Sequence, residues 1–300
     1  MAGLAERTTC VHCGGTPTGS DALTCSACGR TLATLHGSRA QWRLPMSPEL
    51  QRLVDDEASK WDEWATNPPL QRRTEGDLRD WLSGSRVYRP VYDAAPELHD
   101  VSGWRMLDIG GTCLDAVRFL RSGVARVDQL EVSPASQAVG IGNLEAAGVD
   151  WRERLWFHTA PAEVLPFEDE TFDLVFSRST IHHTDRRKSI PEIVRVLKPG
   201  GLVFFIENYR SAFMYRLMER KRAATGVDRG TDDPFTPHEI ASWSGLRDVT
   251  IYPFGALWTV WSQTGDKLTK RARRAVWSAD LRIGRLGRPL ATQCWLIARR

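Results

Sequence analysis

No apolar run in the 300-residue chain approaches the roughly 20 residues that a membrane-crossing helix needs. Stretches such as Leu202-Val203-Phe204-Phe205-Ile206 are only as long as a strand. Residues 1–9 lack the apolar core of a secretion signal, so the expected location is the cytoplasm. Internal repeats and low-complexity tracts are missing too, which argues against a solenoid. General basicity is lacking: the net charge is +3, and residues 267–300 alone hold ten Lys or Arg against Asp280, leaving the other 266 residues at −6. A nucleic-acid binder that is basic throughout is excluded, although the basic C-terminal stretch remains either a solvated face or a patch for an anionic partner. With 42% hydrophobic residues the chain can bury a sizeable core, and its length suits one large α/β domain with a small appendage.

Cysteine is scarce after the first 28 residues. Four of the six cysteines lie in Cys10-Val11-His12-Cys13-Gly14 and Cys25-Ser26-Ala27-Cys28-Gly29, while Cys113 and Cys294 read as ordinary buried or loop thiols. Two C-x-x-C-G turns separated by eleven residues suit a tetrahedral ion: each turn brings two thiolates to one metal, and the glycine lets the backbone curl around it. Four such ligands leave no open position, so the expectation is a structural Zn2+ held by Cys10, Cys13, Cys25 and Cys28, with His12 exposed between two ligands. Disulfides or a redox pair are the competing readings.

A knuckle over residues 1–40 is followed by a Pro-bearing linker, 42–48, and then by Leu50, Leu53, Val54, Ala58, Trp61 and Trp64 at helical spacing. Pro68-Pro69 stops that helix, and a less regular helical stretch with Leu78, Trp81 and Leu82 completes a helical cap over 41–100. From Trp104 the pattern becomes strand and helix in alternation. Strands are expected at 104–109, 126–132, 154–158, 172–177 and 202–207, with helices at 114–121, 134–147 and 187–197. Such alternation implies a parallel sheet covered on both faces, with ligands at the carboxyl ends of its strands.

At those ends lie the residues that carry chemistry. The first strand runs into Asp108-Ile109-Gly110-Gly111-Thr112-Cys113, where glycine permits close backbone approach to a ligand, although such a turn is often only a turn. Glu131 stands at the end of the second strand, 21 residues after Gly110, a position from which a carboxylate accepts hydrogen bonds from both hydroxyls of a ribose or caps the next helix. His182 and His183 follow the fourth strand and are candidate bases at neutral pH.

The block running from Ala162-Glu163 through Leu165-Pro166-Phe167, Phe172-Asp173 and Ser177 to Ile181-His182-His183 resembles the type 11 class I methyltransferases, which use S-adenosylmethionine (SAM). The resemblance is close over 104–207 and looser to the C-terminal Trp295-Leu296-Ile297-Ala298-Arg299, and the cysteine knuckle lies outside it. It implies a Rossmann-like, seven-stranded, mostly parallel sheet with helices on both faces over 101–300, behind the small N-terminal zinc-binding knuckle. It further implies that Asp108, Gly110 and Gly111 approach the methionyl part of SAM, that Glu131 holds the ribose, that Ala162 and Glu163 bound the adenine, and that Ser177 and Arg178 lie near the sulfonium. One departure is Leu114, where the family usually has glycine; the bulkier residue is expected to reshape the cofactor loop.

Ser177-Arg178-Ser179-Thr180 stands where methylases of nucleobase amino groups often carry Asn or Asp-Pro-Pro-Tyr. This favours a small-molecule acceptor, aromatic or lipid-like, methylated on oxygen, in specialised metabolism. Stretches 209–234 and 256–289 are longer than connections require and are expected to form an acceptor lid, with Trp258, Trp261, Trp61, Tyr88 and Tyr92 as candidate contacts. Two other readings stand beside it. One is an RNA methyltransferase guided by the knuckle and the basic C-terminal stretch; the other is a non-catalytic scaffold in which Leu114 blocks the cofactor.

Overall fold

A computed structural model describes residues 10, 13–66, 95–209, 213, 216, 220, 233–257, 275, 276, 279, 280, 283 and 289–300. Tyr88, Tyr92, Trp258, Trp261, His12 and most of the two long stretches expected to form a lid lie outside them.

Among the described residues, eleven strands form one sheet. Seven of them are the α/β unit: β5 (Arg105–Ile109), β6 (Arg126–Leu130), β7 (Leu155–Thr159), β8 (Phe172–Arg178), β9 (Leu197–Asn208), β10 (Arg247–Phe254) and β11 (Gln293–Arg299). Their spatial order is β7-β6-β5-β8-β9-β11-β10, with β7 to β9 parallel and β11 and β10 antiparallel. The chain steps outward from β5 to β7 and then returns to the other side of β5, so the switch point lies between β5 and β8.

Alternation along the central strands builds two cores. Met106, Leu174, Phe176, Leu202 and Phe204 face α2 (Leu114–Arg121), whose Ala116, Val117, Phe119 and Leu120 are buried, and α3 (Pro134–Ala146). Leu107, Val175, Val203 and Phe205 face the opposite way, toward Ile190, Ile193 and Val196 of α4 (Arg186–Val196) and Ile240 of α5 (Pro237–Ala241). Period-two burial on both faces is what a parallel sheet sandwiched by helices requires.

The N-terminal segment extends the sheet beyond β7. β1 (Pro17–Thr18), β2 (Ala22–Cys25), β3 (Thr31–His36) and β4 (Arg39–Trp42) form an antiparallel ribbon, and β4 pairs in parallel with β7 at Arg39↔Phe157, Ala40↔His158 and Gln41↔Thr159. The ribbon therefore covers what would otherwise be the bare edge of β7. Leu32, Leu35 and Trp42 join the same core as Leu107 and Phe167.

A buried polar chain locks this junction. The Trp42 Nε1 donates to His158 Nδ1 at 3.1 Å, which leaves His158 Nε2 to donate to Asp128 Oδ1 at 2.9 Å. Burial alone would raise the Asp128 carboxyl, but His158, Arg105 and Arg126 hold it far below the usual carboxylate range. Burial in turn depresses His158 despite its carboxylate partner, so the ring is neutral.

Six residues beyond β4 the chain enters α1 (Pro48–Thr66). Ser47 caps it by accepting from the Leu50 amide at 3.2 Å. Asp62 pins the helix to the start of α3, its Oδ1 accepting from Ser133 Oγ at 2.6 Å and the Ala135 amide at 3.2 Å.

Candidate functional site

At the carboxyl ends of β5 to β8 lies a cavity of about 360 Å³, roofed by α1. Most of the sequence-predicted residues meet there: Asp108, Gly110 and Gly111 after β5, Glu131 after β6, Ala162 and Glu163 after β7, Arg178 at the end of β8, and His183 beyond it. These positions are far apart in sequence, and parallel strand packing brings their ends together.

Gly110 and Gly111 both have φ near +80°, a conformation that favours glycine. A Cβ on Gly110 would sit 2.0 Å from Thr180 Oγ1, whereas one on Gly111 would meet nothing within 4 Å. The first glycine thus seats the loop after β8, and the second leaves backbone open for a ligand. Leu114 does not close the site: it is the first residue of α2, its side chain 9% exposed in the cavity wall.

Glu131 accepts from the Gly111 amide at 3.0 Å with one carboxylate oxygen and from the Ser133 amide at 2.9 Å with the other. Burial pushes its carboxyl up to about 7 in spite of these bonds. Asp108 is raised well above the ordinary range, first by burial and then by Asp115 and Glu131, with Arg178 opposing. Arg178 itself donates to Asp115 at 2.8 Å. Glu163 is raised by burial, and its Oε1 accepts from the Asp185 amide at 2.8 Å, tying the post-β7 loop to the start of α4. Among the described residues, five carboxylates, those of Glu57, Asp108, Asp115, Glu131 and Glu163, line the cavity against one guanidinium. That balance suits a ligand with a cationic centre and hydroxyl donors. SAM, which bears a sulfonium, an ammonium and a ribose, fits that donor and charge set.

Two sequence-predicted residues do not reach the cavity. Ser177 is fully buried in β8 and donates to Glu207 Oε1 at 3.1 Å. His182 is 2% exposed, with Nδ1 held by Glu207 at 2.5 Å and Nε2 accepting from Asn208 Nδ2 at 3.1 Å. Both ring nitrogens are committed to the loop, so His182 is corrected from candidate base to structural residue. The pair sits in a 3₁₀ turn, Ile181–His183, where successive side chains diverge by about 120°, and only His183 faces the cavity. Sequence reasoning missed Glu207, whose Oε1 also accepts from the Thr180 amide at 3.2 Å and the Ile181 amide at 3.0 Å. It also missed Glu57, which lies one turn before Trp61 on α1 and lines the cavity with it.

At the ribbon, the Sγ atoms of Cys10, Cys13, Cys25 and Cys28 lie within 4.8 Å of one another. Cys10 and Cys28 are 3.7 Å apart and Cys13 and Cys25 are 3.5 Å apart, close to the roughly 3.8 Å edge of a tetrahedron with metal–sulfur bonds of about 2.3 Å. Gly14 and Gly29 follow each turn at φ +72° and +71°, and their amides donate to the Cys10 and Cys25 carbonyls at 2.7 and 2.9 Å. All four thiols are free. The donor set fits a zinc ion.

Comparison with known proteins gives concordant results. The sequence matches a methyltransferase domain family over residues 107–205. It is 35% identical over 107 residues to a ubiquinone/menaquinone biosynthesis C-methyltransferase of Geobacter sulfurreducens, covering 35% of this chain and 42% of that protein. It is 27% identical over 186 residues to a ubiquinone biosynthesis O-methyltransferase of Pseudomonas fluorescens, covering 57% of this chain and 78% of that protein. The first of these matches spans less than half of its relative. In fold, the chain is similar to a geranyl diphosphate C-methyltransferase of Streptomyces coelicolor, with TM-score 0.56 and 16% identity, covering 85% of this chain and 99% of the other. The seven-strand order, the cavity at the switch point and the family match over 107–205 agree, and the chain carries a class I SAM-dependent methyltransferase domain.

Proposed function

We propose that the chain transfers a methyl group from SAM to a hydroxyl of a small, largely apolar acceptor, with His183 taking the proton, and that the cysteine cluster holds a structural zinc. The observation that carries this reading is the division of the cavity. One end is rich in carboxylates and open glycine backbone, whereas the roof contributes Leu53, Val54, Trp61 and Trp64. Bound SAM supplies an electrophilic methyl on a good leaving group. The protein's part is then to orient, to exclude water and to receive a proton. Glu131 offers two carboxylate oxygens to the ribose hydroxyls, Asp108 offers charge to the cationic end, and Gly111 gives the backbone clearance.

The aromatic roof favours a planar or lipid-like acceptor, because flat rings bury large area against tryptophan faces. A hydroxyl needs a base as it attacks, and His183 supports oxygen as the acceptor atom. The RNA reading rests on basic residues of which most lie outside the described ones.

Calorimetric titration with SAM tests the reading. Wild type should bind, and Glu131→Ala should bind at least tenfold more weakly, since hydrogen bonds to a charged group contribute about 1.5–3 kcal/mol each. Transfer of labelled methyl to naphthalene-2,3-diol should then be detectable. A folded wild type that does not bind SAM overturns the proposal.

A further inference from the structure

One buried residue joins the roof helix to the ribose carboxylate. The Ser133 amide donates to Glu131 Oε1 at 2.9 Å, while the Ser133 hydroxyl accepts from the Ser136 amide at 2.9 Å and donates to Asp62 Oδ1 of α1 at 2.6 Å. A hydroxyl has one proton to give, so the cap of α3 is committed to Asp62. The same Asp62 oxygen accepts from the Ala135 amide at 3.2 Å, a donor in the first turn of α3 that no carbonyl of its own helix can reach. Asp62 is half-buried and is not one of the residues lining the cavity, whereas Trp61 and Trp64 of the same helical turn are. One residue turns a helix by about 100°, so α1 aims its indoles into the cavity and this carboxylate at α3.

We propose that Asp62 is a positioning residue for the cofactor: through Ser133 it holds α1 closed over bound SAM and keeps the Glu131 carboxylate aligned for the ribose. The inference rests on the SAM-binding reading above. Coupling of this kind is reciprocal: if the latch strengthens SAM binding, bound SAM strengthens the latch by the same factor.

The latch carries an electrostatic penalty. Asp62 is a like charge near Glu131 and, after burial, adds to the upward push on that carboxyl. Asp108 of β5 and the Cys113 thiol at the head of α2 also interact with Glu131, Arg178 of β8 opposes the acids at Asp108, and Glu57 and Glu163 line the same cavity. All of these stay in place when Asp62 is replaced, so the difference between proteins isolates its charge. Geometry and charge therefore act on SAM in opposite directions, and two substitutions separate them. Asp62→Asn keeps an acceptor oxygen for Ser133 and Ala135 but removes the charge, whereas Asp62→Ala removes both.

The test is calorimetric titration of the full-length wild type, D62N and D62A with SAM at pH 6 and pH 8. At pH 8, D62A should bind about tenfold more weakly, while D62N stays within about twofold of wild type. At pH 6, D62N should bind about two- to threefold more tightly than wild type, because without the nearby charge Glu131 ionises about half a pH unit lower. A side chain that only braced the packing of α1 on α3 would give no such gain. In wild type alone, saturating SAM should slow hydrogen exchange of the Ala135 amide by about tenfold. D62A within twofold of wild type at pH 8, or D62N no tighter than wild type at pH 6, overturns the proposal. Should either variant fail to fold, the wild-type exchange decides: an Ala135 amide indifferent to SAM overturns the proposal, and one slowed about tenfold upholds it. If wild type does not bind SAM, the methyl-transfer reading fails instead; if SAM binds and these differences are missing, only this inference fails.

Discussion

Glu131 should make both folding and cofactor binding depend on pH, in opposite directions. Its carboxyl is buried at the end of β6 and pushed from 4.5 up to about 7. Between those values the folded protein keeps a proton that the unfolded chain has lost, so stability falls as pH rises through this window, and the loss is complete above about 7. At about 1.4 kcal/mol per pH unit, the gap amounts to roughly 3 kcal/mol. Ribose hydroxyls donating to the carboxylate favour its ionised form, so binding should expel the proton. If only the ionised form binds, affinity should rise about tenfold from pH 6 to pH 8, and about half a proton should be released at pH 7. Calorimetry in buffers of different ionisation enthalpy reads that proton directly. Glu131→Gln is the control, because any proton exchanged by SAM itself is common to both proteins. Urea unfolding of the free proteins at pH 5 and pH 8 provides an arm independent of binding, in which Gln should remove most of the 3 kcal/mol slope. Equal slopes in the two proteins, together with equal proton release, would refute the assignment of Glu131 as the titrating ribose ligand.

Two further outcomes follow from the ribbon. Trp42→Phe leaves His158 Nδ1 buried without its donor and should cost about 1–3 kcal/mol in urea unfolding, while SAM affinity stays within twofold; an unchanged midpoint would show that the Trp42–His158 bond contributes nothing. Removing metal with a chelator, or changing Cys25→Ser, should speed amide hydrogen exchange in β1 to β4 and at Phe157, whose amide donates to the Ser38 carbonyl at 2.9 Å. The amides of β5, β6 and β8 should stay protected. Loss of protection throughout the sheet, or in none of it, contradicts a ribbon that is metal-held and docked on β7.

What was legible in the sequence was what depends on local pattern. Strand-length apolar runs such as Leu202 to Ile206, in alternation with helical stretches, implied the parallel sheet, both faces of which are buried. The positions of Asp108, Gly110, Gly111 and Glu131 were readable because strand ends in this topology converge on the switch point. Spacing alone could not reveal that β4 lies against β7: Arg39 and Phe157 are neighbours only through tertiary pairing, and the ribbon's polar alternation looks the same free or docked. Adjacent histidines could not be told apart either. His182 and His183 differ only in the turn that sends one ring to Glu207 and the other to the cavity, and a Glu at the end of β9 gives no local sign of which loop it holds. Glu57 was hidden for the opposite reason, since an acidic residue on an amphipathic helix is ordinarily a solvated one.

These separate features converge on α1. The helix begins six residues after Trp42, is anchored to α3 through Asp62, and supplies Glu57, Trp61 and Trp64 to the cavity roof. Its N-terminal end is therefore fixed by a ribbon whose four thiols are gathered at one point, and its C-terminal part by the Asp62 carboxylate on Ser133 and Ala135. A ribbon of four short strands is marginal without a metal, as small domains generally are. A metal held by the four thiols should stabilise β4, and β4 sets where α1 starts, so removing it should loosen the helix that roofs the cavity. The expected outcome is that stripping metal from the cysteine cluster lowers methyl transfer through the placement of this one helix, and turnover unchanged by a chelator would refute the link.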